Sequence, residues 1–178
     1  MLIIAMPKSA STSLLHAVGG LLGVPHMQMF PASVVENNRY QNLHELHSDV
    51  GMWPSMDLVT LQTSTHLFKQ HIPPLAHNVR MVDPNGVLFL HRPPGDIIEA
   101  YRRAGAPLQA VDIDTLKYEL EIFGYGWLNA GVRELSFSAL MKDPAREVAW
   151  VASLLSGREI PEPFNFELPR YNYTRGQV

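Results

Sequence analysis

A chain that opens with a short apolar run closed by proline, and then turns through a small hydroxyl-rich loop into a second apolar run, has few ways to fold. Leu2 to Met6 is uninterrupted and apolar, which predicts a strand buried on both faces. Pro7 stops it. Lys8 to Ser13 is a loop of small residues, and Leu14-Leu15 opens a helix to Leu22, ending at Gly23 or earlier at Gly19-Gly20. Strand, small-residue loop and helix in that order aim backbone N–H groups at one point, where the helix dipole adds partial positive charge. Lys8 sets a mobile cation on the rim. The segment therefore predicts a cradle for a phosphate or sulfate group. An ordinary βα turn capped by serine or threonine uses the same residue types.

Composition narrows the partners of such a cradle. A length of 178 residues fits one domain spanning 1–178 with a core of its own. Apolar residues make up 46% and charged ones 17%, which excludes a disordered chain. A net charge of −3 gives no broad basic surface for nucleic acid, so any anion site is local. Cysteine is absent, which removes disulfides, thiolate metal sites and cysteine nucleophiles. The first apolar run ends too soon for a signal core, and no later run reaches the length of a membrane span. The expectation is a soluble, cytoplasmic protein with neither a membrane nor a nucleic-acid partner.

Further along, strands and helices alternate. Residues 24–38 read as irregular and Arg39 to Asp49 as a short helix. Thr65 to Ile72 is a strand stopped by Pro73-Pro74, and the turn Asp83 to Gly86 precedes a strand from Val87 to His91. A helix then opens at Pro93-Pro94 and runs to Ala104, with Gly105 as its stop. Asp112 or Asp114 caps a helix to Phe123, Val132 to Phe137 is another strand, and Pro144 to Leu155 is a helix closed by Gly157. This order predicts an α/β fold of three layers, a central parallel sheet flanked by helices. Ligands of such sheets bind beyond the carboxyl ends of strands, so loops 7–13 and 91–96 should face one cleft.

Two further clusters carry chemistry. Arg92 leaves the strand Val87–His91 at its carboxyl end, where a guanidinium can grip phosphate through two parallel bonds, or pair with Asp96 or Glu99. Between the two loops, FKQHIPP (68–74) sets Lys69 two residues before His71. Other signals are weaker. His44 and His47 stand three apart, unlike the zinc H-E-x-x-H pair, and Ser9, Ser11 and Ser13 lack a G-x-S-x-G elbow. Phe123, Tyr125 and Trp127 read as core, and Arg102-Arg103 as a solvated helix end.

These segments resemble the sulfotransferases. PKSASTSL is similar to that family's PKSGTTWL loop, which holds the 5′ side of 3′-phosphoadenosine 5′-phosphosulfate. Lys8, Ser9 and Thr12 match, Ser11 exchanges one hydroxyl for another, Ala10 replaces a glycine, and Ser13 replaces the usual tryptophan. Lys69 and His71 match the K-T-H-x-P segment, in which the histidine deprotonates the acceptor and the lysine supports the transferring group. A rival alignment puts Thr65-His66-Leu67 there, but only His71 has both the preceding lysine and the proline two residues on. The block 87–103 resembles the R-N-P-x-D segment that grips the 3′-phosphate. Arg92, Pro94, Asp96 and Tyr101 match it, while Ala100 stands where a serine hydroxyl is usual. Asp143-Pro144 matches the Y-E-D-L-x-x-D-P unit, with Phe137 for its tyrosine, and Arg175-Gly176 resembles the R-K-G loop.

The resemblance covers residues 3 to 157 or so and implies a P-loop NTPase-like sulfotransferase fold. It implies transfer of a sulfuryl group from 3′-phosphoadenosine 5′-phosphosulfate to a hydroxyl or amine on a small-molecule or glycan acceptor, without a metal. It also implies adenosine 3′,5′-bisphosphate as product, His71 as base, and Lys8 and Lys69 as electrostatic partners. Donor contacts fall on Lys8, Ser9, Ala10, Ser11, Thr12, Ser13, Arg92, Ala100, Arg175 and Gly176. A P-loop-like nucleotide kinase is the main alternative, although the lysine here opens the loop instead of closing it as in Walker A. A non-catalytic nucleotide-binding module is the other.

Overall fold

A computed structural model describes residues 1–28, 55–103 and 112–169. Five strands form one parallel sheet: β1 (Leu2–Ala5), β2 (His26–Gln28), β3 (Leu67–Gln70), β4 (Val87–His91) and β5 (Arg133–Ser136), in the spatial order β2-β3-β1-β4-β5. The helices are α1 (Ser11–Leu22), α2 (Ser55–Thr63), α3 (Ala76–Met81), α4 (Pro94–Arg103), α5 (Ile113–Asn129), α6 (Phe137–Lys142) and α7 (Pro144–Ser156).

β1 is central because every one of its residues is buried, and its alternation feeds two cores. Leu2, Ile4 and Met6 join one cluster with α2, α4 and α5, including Ile97, Phe123 and Trp127. Ile3 and Ala5 join the other, with Leu14 and Val18 of α1 and Val148 and Val151 of α7. A strand apolar on both faces can only be satisfied by helices above and below, which is the three-layer α/β arrangement. Its neighbours are β3, with Ile4 beside Gln70, and β4, with Ala5 beside Leu90. From these adjacent ends the chain departs to opposite faces, since α1 packs in one core and α4 in the other. The two loops therefore meet at a switch point of the sheet, the crevice position at which ligands of such folds bind.

Several elements differ from the sequence reading. Residues 26–28, expected to be irregular, pair with β3 as a three-residue edge strand. α1 starts at Ser11 and continues to a left-handed Gly23, passing Gly19-Gly20. α5 runs past Phe123 to Asn129, its N-cap being Asp112, whose side chain accepts from the Asp114 N–H. β5 stops before Phe137, because the Ser136 hydroxyl accepts from the Ala139 N–H and starts α6. α2 and α3 had no clear sequence signal. The helix expected at 39–49, the histidines at 44 and 47 and the stop at Gly105 lie outside the described residues. Among the described residues no helix is long and apolar enough to cross a membrane.

The extension of α5 matters for the sheet. Gly126 lets Pro74 lie directly on the helix: a Cβ there would sit 2.3 Å from Pro74 Cγ. Gly126→Ala should therefore lose about 1–3 kcal/mol of stability through overpacking against a rigid ring. Gly20, also helical, has nothing within 4 Å of its Cβ position. Gly20→Ala should instead gain about 0.5–1 kcal/mol. Urea denaturation of the two variants measures both, and equal signs would contradict this packing.

Candidate functional site

The β1–α1 loop makes two left-handed turns without glycine, at Lys8 (φ 54°) and Ala10 (φ 62°). Its shape is held from inside, where buried Ser9 donates through Oγ to the Met6 carbonyl at 2.5 Å. Ala10 occupies the N-cap position and no side chain caps α1 there. The first N–H groups of the helix are thus left for other partners. Ser11 and Ser13 are buried and Thr12 is half-buried in the first turn.

Arg92 closes the loop from β4. Its Nη1 donates to the Lys8 carbonyl, and its guanidinium lies 4.0 Å from the centre of the Phe137 ring. Only 8% of Arg92 is exposed, and its Nε has no partner among the described residues. Burial lowers its pKa, opposed by Asp96 and helped by Arg103. Glu99 pairs instead with Arg102 and Arg103, at the exposed end of α4. Lys8 Nζ lies 5.4 Å from the Tyr101 ring centre, and partial burial lowers its pKa as well.

β3 supplies the third group. Lys69 and His71 are both buried, with Lys69 Nζ 3.1 Å from His71 Nε2. His71 Nδ1 donates to the Ala5 carbonyl at 2.7 Å. Burial, then Lys69, then Lys8 hold the imidazole well below its usual pKa, against the raising effect of the Ala5 bond. The segment after it is clamped: Trp127 Nε1 donates to the Ile72 carbonyl at 2.7 Å, and Asn78 Nδ2 to that of Pro73 at 2.8 Å. His66, the rival histidine, sits at the opposite end of β3, where its carbonyl accepts from the Met1 ammonium. It is not near the loop.

Three neighbouring strand ends thus bring Lys8, Lys69, His71 and Arg92 together around the start of α1. Positive charge, the N–H groups of a helix start that its own N-cap side chain does not cap, and a buried guanidinium nitrogen without a partner among the described residues suit an anion with several oxygens. Ala100 is half-buried on α4 beside Tyr101, and Arg175 and Gly176 lie outside the described residues. Phe137, in the place of the tyrosine of the Y-E-D-L-x-x-D-P unit, lies against Arg92. Tyr125, expected in the core, is 64% exposed, whereas Phe123 and Trp127 are buried. Gln70 was not singled out from the sequence, yet its amide is fully buried with neither atom bonded among the described residues. Only its place between Lys69 and His71 marked it.

Two outcomes test this geometry. Left-handed backbone costs a side-chain-bearing residue roughly 1–2 kcal/mol, so Ala10→Gly should stabilise the protein by up to about 1 kcal/mol in urea denaturation. The His71 shift sets a pH dependence. Its folded pKa lies below its unfolded one, so the unfolded chain binds the extra proton in the interval between them. Stability is then full above the unfolded value and falls as pH drops below it, by at most about 1.4 kcal/mol per pH unit for one proton. His71→Gln keeps a donor for Ala5 and should flatten the fall between pH 7 and 5. His16, also lowered by burial, contributes equally to both proteins and cancels in the difference.

No family model matches this chain, and neither does any curated protein.

Proposed function

We propose that this protein is a sulfotransferase of P-loop NTPase-like fold, which takes a sulfuryl group from 3′-phosphoadenosine 5′-phosphosulfate to an acceptor hydroxyl or amine on a small molecule or glycan. The observation that carries the reading is the convergence of Lys8, Lys69, His71 and Arg92 from three adjacent strand ends. The residues present fit such a donor, since Arg92 Nε and the start of α1, both without side-chain partners among the described residues, each accommodate an anionic group. When bound, the donor supplies an electrophilic sulfur and a phosphate leaving group.

Lys8 and the N–H groups from Ser9 to Ser13 hold the 5′ side, and Arg92 holds the 3′-phosphate. His71 accepts at Nε2 the proton lost by the attacking oxygen or nitrogen. Lys69 and Lys8 neutralise charge on the sulfuryl oxygens and the departing phosphate. Sulfuryl transfer, like phosphoryl transfer, depends on positioning and electrostatics more than on protein covalent chemistry. Deep burial of His71 favours one second reading, a nucleotide-binding module without turnover.

Calorimetry separates these readings. Adenosine 3′,5′-bisphosphate should bind about ten- to a hundred-fold more tightly than AMP without metal, the worth of one charge-assisted contact. Equal affinities would remove the donor assignment, and a strict need for Mg²⁺ with ATP would favour a kinase. Ala100→Ser should tighten the bisphosphate about five-fold, worth about 1 kcal/mol, and leave AMP unchanged. His71→Ala should lower transfer about 10²–10⁴-fold at nearly constant nucleotide affinity. Tight bisphosphate binding without any transfer supports the module.

A further inference from the structure

Residues two apart on a strand share a face, so Lys69 and His71 lie side by side at the end of β3. The tautomer of His71 follows from its partners. The Ala5 carbonyl can only accept, so the proton of that 2.7 Å bond belongs to Nδ1. In a neutral imidazole the lone pair is then on Nε2, the atom that Lys69 Nζ approaches at 3.1 Å. An ammonium has three donors and no acceptor, so it can only donate into that lone pair. The one basic atom of His71 is already engaged.

The surroundings make this engagement conditional. Lys69, Lys8 and Arg92 are cations carried by three adjacent strands or the loops after them, Lys8 in the loop that opens α1. For Lys69 an oxyanion adds the attraction of a full opposite charge, which the neutral imidazole does not offer, and Lys8 and Arg92 reinforce the pull on that anion. We propose that the Lys69–His71 contact is a latch: it masks the histidine nitrogen until an oxyanion settles in the crevice and draws the lysine ammonium away. The latch rests on the oxyanion reading of the site given above. It makes His71 a poorer proton acceptor before the anionic substrate is in place, and so favours binding of that substrate first. The groups facing the ring are Lys69 from β3, Lys8 from the β1–α1 loop and the Ala5 carbonyl from β1, and the two cations hold its proton affinity down.

Long-range proton–nitrogen correlation NMR of the full chain, labelled with ¹⁵N-histidine and at backbone amides, tests it. His71→Gln assigns the ring signals. The probes are inorganic sulfate and adenosine 3′,5′-bisphosphate, and the Lys8 to Thr12 amides report their arrival. The expected result is a free protein with the proton on Nδ1 and a hydrogen-bonded Nε2. On loading, Nε2 loses that bond and the His71 titration midpoint moves to higher pH. Lys69→Met should show the unmasked Nε2 signal without any ligand and a smaller response to it. Amide shifts with an unchanged Nε2 overturn the latch and leave the oxyanion site standing. Silent amides with both probes overturn the site and the latch together. The wild-type titration decides the matter even where Lys69→Met fails to fold.

Discussion

The peptide joining Ala5 to Met6, at the end of β1, is the point on which the site depends. Its carbonyl accepts from His71 Nδ1 of the β3 segment, and its N–H donates to the Leu90 carbonyl of β4 at 3.0 Å. The next carbonyl, that of Met6, accepts from Ser9 in the loop. One stretch of backbone therefore sets the relative height of all three strand ends. Buried backbone groups must find partners, so this register is enforced by hydrogen bonding as well as by the apolar alternation of β1.

Around that point the structure accumulates unfavourable terms. Lys8 and Ala10 hold left-handed backbone, two cations are partly desolvated, and the buried amide of Gln70 and Nε of Arg92 lack bonds among the described residues. Each of these costs on the order of 1–3 kcal/mol by itself. They persist because two apolar clusters, one on each face of the sheet, over-determine the positions of the strands that carry them. Strain and polar groups without bonds among the described residues are thus concentrated at one place, on a frame otherwise well satisfied.

Much of this was legible in the sequence, for identifiable reasons. The run Leu2 to Met6 and the run Val87 to His91 are apolar on both faces, so strand and burial follow directly, and the loops after them lie side by side, joined by the bond from Arg92 to the Lys8 carbonyl. The period of two along Lys69 and His71 likewise fixed their common face. Less legible were the places where a neighbour overrides a local signal. Gly124 and Gly126 lie inside α5 because the absent side chains admit His91 and Pro74, which no window of α5 alone contains. The short β2 forms only because β3 offers an edge. Phe137 stood for a tyrosine in the sequence, with nothing to show that the partly desolvated Arg92 guanidinium lies over its ring. Lysine and proline neighbours favoured His71 over His66 in the sequence, and five residues of strand place the two histidines at opposite ends of β3.

The clamp on the residues after His71 bears on how the molecule forms. Trp127 reaches back 55 residues to the Ile72 carbonyl, and Gly126 seats Pro74 in the same turn of α5. Contacts so distant along the chain come only after a large loop has closed, at a cost in chain entropy that local contacts do not bear. His71 itself is held from β1, 66 residues back, and the residues just after it from α5, 55 residues ahead. Two closures of opposite direction along the chain therefore meet at this one segment, and neither is local to it.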